Sequence, residues 1–166
     1  NAYRASVSTN RNPVNGFYIM SKNQAVVKFD HYNMDKNLGT LFHEISHLIT
    51  ASHLGPSPPW LTEGLAEYFE MMRVRDQTGT VHPNKAHIDL LRKLPSPDLK
   101  EFLSLDRSSW FEEHRDRNYA IAWSLVYFLL REAPGMYALK EVVQHAEQNC
   151  CRPGSAAGAV DQAYPG

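Results

Sequence analysis

A mainly helical α+β domain with a small N-terminal β-hairpin is what the sequence predicts, on three observations. Apolar residues recur at helical spacing over two long stretches, 34–54 and 60–74. A third stretch, 118–131, is apolar on most sides and reads as a buried helix. Ahead of them, two short runs rich in β-branched and aromatic residues flank a turn-like tetrapeptide. The chain has 166 residues, 43% of them hydrophobic, which is enough for one core and too little for two comfortable domains. Residues 1–166 are therefore expected to form a single unit.

Residues 1–15, rich in Asn, Ser and Arg and interrupted by Pro13, read as an irregular arm. Gly16–Met20 and Ala25–Phe29, joined by Ser21-Lys22-Asn23-Gln24, are expected to pair as a hairpin that covers the helices. From Met34 to Leu54 a helix is opened by Asn33 or Asp35 and closed by Gly55-Pro56. Its Leu38, Leu41, Phe42, Ile45, Leu48 and Ile49 are expected to face the core.

Pro58-Pro59 forces an extended entry to a second helix, from Trp60 to Val74, that buries Leu61, Leu65, Tyr68, Phe69 and Met72. Gly64 removes a side chain where two helices need to come close, and Trp60 reads as core or as cleft wall. Residues 75–83 are expected to be a loop turning at Gly79, followed by short helices over 84–94, 97–104 and 107–114. Asn118 is the expected cap of the buried helix, which Pro134-Gly135 ends. A further helix follows from Met136 to Asn149, then a final short one over 155–163, and the abrupt end at Gly166 is what a piece of a longer protein would show.

A net charge of −1 with no basic block offers no bulk electrostatic reason to bind nucleic acid or an anionic membrane. The sequence has no apolar run approaching the roughly 20 residues of a membrane span. Cys150 and Cys151 are adjacent, so they form no disulfide framework, and they lack the spaced partners of a structural zinc site.

The chemistry concentrates in His43-Glu44-Ile45-Ser46-His47. On a helix, His43 and His47 lie four apart on one face, close enough for both imidazoles to hold one cation. Glu44 falls beside that cation, where a carboxylate can take a proton from water. Catalytic zinc takes three protein ligands and keeps one position open, so a third ligand must come from elsewhere. Glu63, in Trp60-Leu61-Thr62-Glu63-Gly64-Leu65-Ala66-Glu67, is the expected donor. Glu67, one turn further, is placed to accept the outer ring N–H of a liganding histidine, His43 by preference. With 8 His in the chain, an accidental HExxH is expected only roughly 0.02 times, so the motif is a signal.

HEISH followed by WLTEGLAEYFE resembles the gluzincin branch of the zincin metallopeptidases, and most closely small bacterial peptidase-like domains, over residues 16–132. The resemblance implies a zincin-like catalytic domain, Zn2+ on His43, His47 and Glu63, Glu44 as general base, and a peptide or protein substrate. It also implies export to the periplasm or outside the cell, with any signal peptide upstream of Asn1. Tyr119, with Ala122 three residues on, is similar to the segment whose tyrosine hydroxyl stabilises the tetrahedral intermediate in gluzincin aminopeptidases. His82, His87 and His114 are read as surface residues.

Residues 16–30 contain no Glu of the kind with which aminopeptidases of that group grip a free amino group, which points to internal cleavage or an unusual peptide. The alternative is a catalytically inactive zinc-bearing domain that binds peptides or cell-wall material. The intact Glu44 disfavours it.

Overall fold

The computed structural model describes residues 15–148 apart from positions 23, 56 and 113. Residues 1–14 of the expected arm, Cys150, Cys151 and the expected helix over 155–163 lie outside the described residues. The remainder is mainly helical.

Strands β1 (Gly16–Ile19) and β2 (Gln24–Val27) form the expected hairpin, with Gly16 opposite Val27 and Ile19 opposite Gln24. It packs on α1 (Met34–Leu54). Asn37 fastens the connection: its amide donates to the Asp30 carbonyl oxygen at 2.7 Å, and its own Oδ1 accepts from the Asp30 N–H at 2.8 Å. Of the two candidate caps, Asn33 is used, accepting from the Lys36 N–H.

The buried face of α1 differs from the expected one. Asn37, Gly39, Thr40, Glu44, Ser46, Thr50 and Leu54 are buried, whereas Leu41 and Ile49 are exposed, Ile49 by 51%. Small side chains on the inner face bring the neighbouring helix close, and a Cβ at Gly39 would lie 2.8 Å from the Glu70 carbonyl oxygen. Larger apolar residues would hold the two helices apart at that face.

That neighbour is α2 (Pro59–Glu70), entered through an extended Pro58 with Pro59 in its first turn. It packs between α1 and α6 (Arg115–Leu129). Gly64 marks the α6 crossing, since a Cβ there would lie 2.8 Å from both the Ala122 carbonyl oxygen and Val126 Cγ2. Trp60 belongs to the core, 1% exposed, with Leu61, Phe102, Trp110, Ile121 and Val142. Burial of each large apolar side chain there contributes about 1.5–3 kcal/mol.

Four boundaries depart from the expectation. The second helix stops at Glu70, and residues 72–81 form a hairpin, β3 (Met72–Arg75) with β4 (Thr78–Val81). Its turn is Asp76-Gln77, both at positive φ as a tight two-residue hairpin requires, while Gly79 lies within β4. After α3 (Lys85–Leu91), α4 (Leu99–Leu103) and α5 (Arg107–Glu112), the buried helix opens three residues ahead of Asn118. Asn118 is thus an interior residue whose amide donates to the Trp110 carbonyl oxygen at 3.1 Å, tying α6 to α5. Pro134 falls in the first turn of α7 (Ala133–Gln148), where its missing N–H costs nothing. No helix among the described residues is long and apolar enough to cross a membrane.

Candidate metal centre

Both histidines of HEISH lie in the middle of α1, and the helical period stacks their rings on one face. Their Nε2 atoms are 3.2 Å apart. Glu63, carried by the first turns of α2, brings Oε2 to 3.4 Å from His47 Nε2. One ligand atom from each of His43, His47 and Glu63 lies within 4.8 Å of the others. Two atoms bound at ~2.05 Å to a tetrahedral ion stand about 3.3 Å apart, so both short separations suit one zinc-sized cation. Two imidazole lone pairs aimed at each other repel unless a proton or a cation sits between them. The donor set of two imidazoles and one carboxylate fits such an ion chemically.

Electrostatics follow from crowding carboxylates around two rings. Burial alone would lower the His43 pKa, but the hydrogen bond to Glu70 and the charges of Glu67, Glu70 and Glu63 outweigh it and raise it to about 9. For Glu63, burial pushes upward, yet the hydrogen bond and charge of His47, the charge of His43 and a hydrogen bond from Tyr119 hold it below the usual carboxylate range. Glu44, 5% exposed, goes the other way. Its burial raises the pKa despite the neighbouring His43 and His47. It lies under the hairpin, and a Cβ at Gly16 would come within 3.1 Å of Glu44 Oε1 and 2.6 Å of Thr40 Cγ2. β1 can pass over the acid only because residue 16 has no side chain.

Tyr119 sits beside Glu63 and donates its hydroxyl to that carboxylate. Burial, then the Glu63 charge, raises its pKa, so the phenol keeps its proton. The position expected for Glu67 needs correction. Its Oε1 is 3.7 Å from His43 Nδ1, beyond hydrogen-bond reach, while Glu70 Oε2 is at 2.9 Å and accepts the Nδ1 proton. Glu67 instead accepts from His87 Nε2 at 2.8 Å.

His87 is therefore not a plain surface residue: it is half-buried, with its ring against Trp123 at 5.6 Å between centroids. His82 and His114 are exposed. Glu70 is not among the expected site residues, yet it continues the stripe of Glu63 and Glu67 at the next helical step, which is its signal in the sequence. For His87 no local signal exists, because its partner lies twenty residues away.

Residues 37–149 match the family described as protein of unknown function (DUF1570). The chain belongs to that family. The matched stretch contains His43, Glu44, His47, Glu63, Glu67, Glu70, His87 and Tyr119, and begins after the first hairpin. No curated protein and no solved structure matches the chain.

Proposed function

We propose that this protein is a zinc-dependent metallopeptidase of the gluzincin type on a zincin-like scaffold. The observation that carries the reading is the meeting of His43, His47 and Glu63 from two helices, with the buried Glu44 beside them. A metal-free interaction module has no need to bury two carboxylates against paired imidazoles, since each buried charge is costly unless something compensates it.

When bound there, zinc supplies Lewis acidity, which brings the pKa of water down to about 7 and polarises a carbonyl. The chain's own groups do the rest. His43, which must first give up the extra proton its surroundings favour, and His47 would present neutral ring nitrogens, and Glu63, kept anionic by its neighbours, would offset part of the ion's charge. Glu44 takes the proton of the attacking water and hands it to the leaving amine. Tyr119 retains its proton and so remains a donor: its single O–H supports Glu63, and it would have to turn from that carboxylate to donate to a developing oxyanion. β1, lying over Glu44, would line the approach of an extended peptide.

The test pairs metal analysis with turnover. Purified protein is expected to carry one zinc per chain and to cleave a broad peptide library, with cleavage lost on chelation. Glu44→Gln is expected to keep the zinc and lose about 10²–10⁴-fold in rate, the usual contribution of a general base. Undiminished cleavage by that variant removes the general-base assignment. Zinc without cleavage of any peptide points to the inactive binding domain.

A further inference from the structure

His43 has two ring nitrogens, and each faces a different set of side chains. Nε2 faces His47 and the Glu63 side of the cluster, whereas Nδ1 faces Glu70 at 2.9 Å and Glu67 at 3.7 Å. His43, Glu67 and Glu70 lie close enough to count as a second cation-holding group. The two groups compete for one ring, because a neutral imidazole that lends its Nε2 lone pair keeps its proton on Nδ1. That proton needs an acceptor, and a carboxylate at 2.9 Å is one.

We propose that Glu70 is the positioning residue for His43, accepting its Nδ1 proton and so fixing the tautomer and ring orientation in which Nε2 faces His47 and Glu63. The inference rests on the reading of His43, His47 and Glu63 as metal ligands. Glu67, the residue favoured by its place one turn after Glu63, serves α3 instead by holding His87.

Glu70 is built into this position. It is the last residue of α2, where helices fray, yet two contacts fix its backbone. Gly39 lets the Glu70 carbonyl rest directly on α1, at a distance that any side chain at residue 39 would close. Arg73 then donates to the carbonyl oxygen of Met72 at 2.9 Å and to that of Glu70 at 3.1 Å, the latter a group that the helix end leaves without an intrahelical donor. Because Gly39 lies one turn before His43 on the same helix, the contact that holds Glu70 also sets the reach from its carboxylate to the ring.

Removing an acceptor of this kind costs about 10–100-fold in metal affinity. The experiment compares wild type with Glu70→Ala, Glu70→Gln and Glu67→Ala, measuring Zn2+ affinity by competition with a chromophoric chelator and the visible spectrum of the Co2+ form, with circular dichroism to verify folding. Glu70→Ala is expected to fall within that loss and to shift the Co2+ bands. Glu70→Gln, which keeps an acceptor oxygen, is expected to recover part of the affinity, and Glu67→Ala to lose less than Glu70→Ala. An unchanged affinity in Glu70→Ala, or an equal or larger loss in Glu67→Ala, overturns the assignment while leaving the metal site standing. If Glu70→Ala does not fold, Glu70→Gln decides: full wild-type affinity with an unshifted Co2+ spectrum overturns the assignment, and a partial loss sustains it. A wild-type protein that takes up neither ion removes the metal reading and this inference together.

Discussion

The buried positions of α1 and α2 include Asn37, Thr40, Glu44, Ser46, Thr50 and Glu63, whereas α6 buries Ala120, Ile121, Ala122, Trp123, Val126 and Leu129 with Asn118 as its one buried polar residue. α2 joins the two regions. One side turns Glu63, Glu67 and Glu70 toward the α1 histidines and His87, and the other turns Trp60, Leu61 and Gly64 into the apolar core. Burial of polar groups is costly unless partners compensate, so the α1–α2 side is held by paired charges and close backbone approach, and the α6 side by apolar burial. A stable core on one side of α2 lets its other side keep carboxylates in a crowded, electrostatically unfavourable place.

If the two regions are separable in this way, substitutions in each should fail differently. Glu63→Ala, which removes one of three ligands, is expected to weaken zinc binding by more than the about 100-fold reached by outer-shell changes, as read by chelator competition. The apolar core should survive, and any loss of stability should come from His47 left without its carboxylate. Ile121→Ala on α6 is expected to cost about 2–5 kcal/mol in urea unfolding while the folded fraction binds zinc as wild type does. A parallel loss of zinc affinity would show that the core and the site are one cooperative unit.

The zinc-free protein offers a pH probe of the site alone. His43 has a folded pKa of about 9 against an ordinary value of 6.5, so its protonation stabilises the fold fully below pH 6.5. That contribution drains away as pH rises through 9. The Tm in chelator is expected to fall across this window by more than in His43→Gln, and a wild-type Tm that tracks the variant's would refute the electrostatic account. The smallest effect is expected at Ile49→Ala: a half-exposed residue should cost within about 0.5 kcal/mol, however well its spacing suits a core.

That last position shows where the sequence misleads. Leu41 and Ile49 keep the helical rhythm of α1, so the helix itself and its limits are legible, but rhythm does not reveal which face a neighbour covers. At Gly39 the inner face is set by the close approach of α2, where a Cβ would meet the Glu70 carbonyl oxygen, and Ser46 and Thr50 are buried on the same helix. The β3–β4 hairpin was hidden for a similar reason. Met72 and Val74 extend the apolar pattern of α2, and Asp76-Gln77 lacks the glycine that announces a two-residue turn.

What the sequence determined unaided is the local part: a helix with 3.6 residues per turn puts residues 43 and 47 on one face and residue 44 beside them, whatever the rest of the chain does. The approach of Glu63 depends on how α1 and α2 cross, a relation set between segments rather than within one. The choice of Glu70 over Glu67 as acceptor for His43, and the pairing of Glu67 with His87, were decided only by the tertiary structure. Carboxylates three residues apart on a helix look alike in sequence, and an offset of less than 1 Å in their reach, 2.9 against 3.7 Å, separates a hydrogen bond from a mere neighbour.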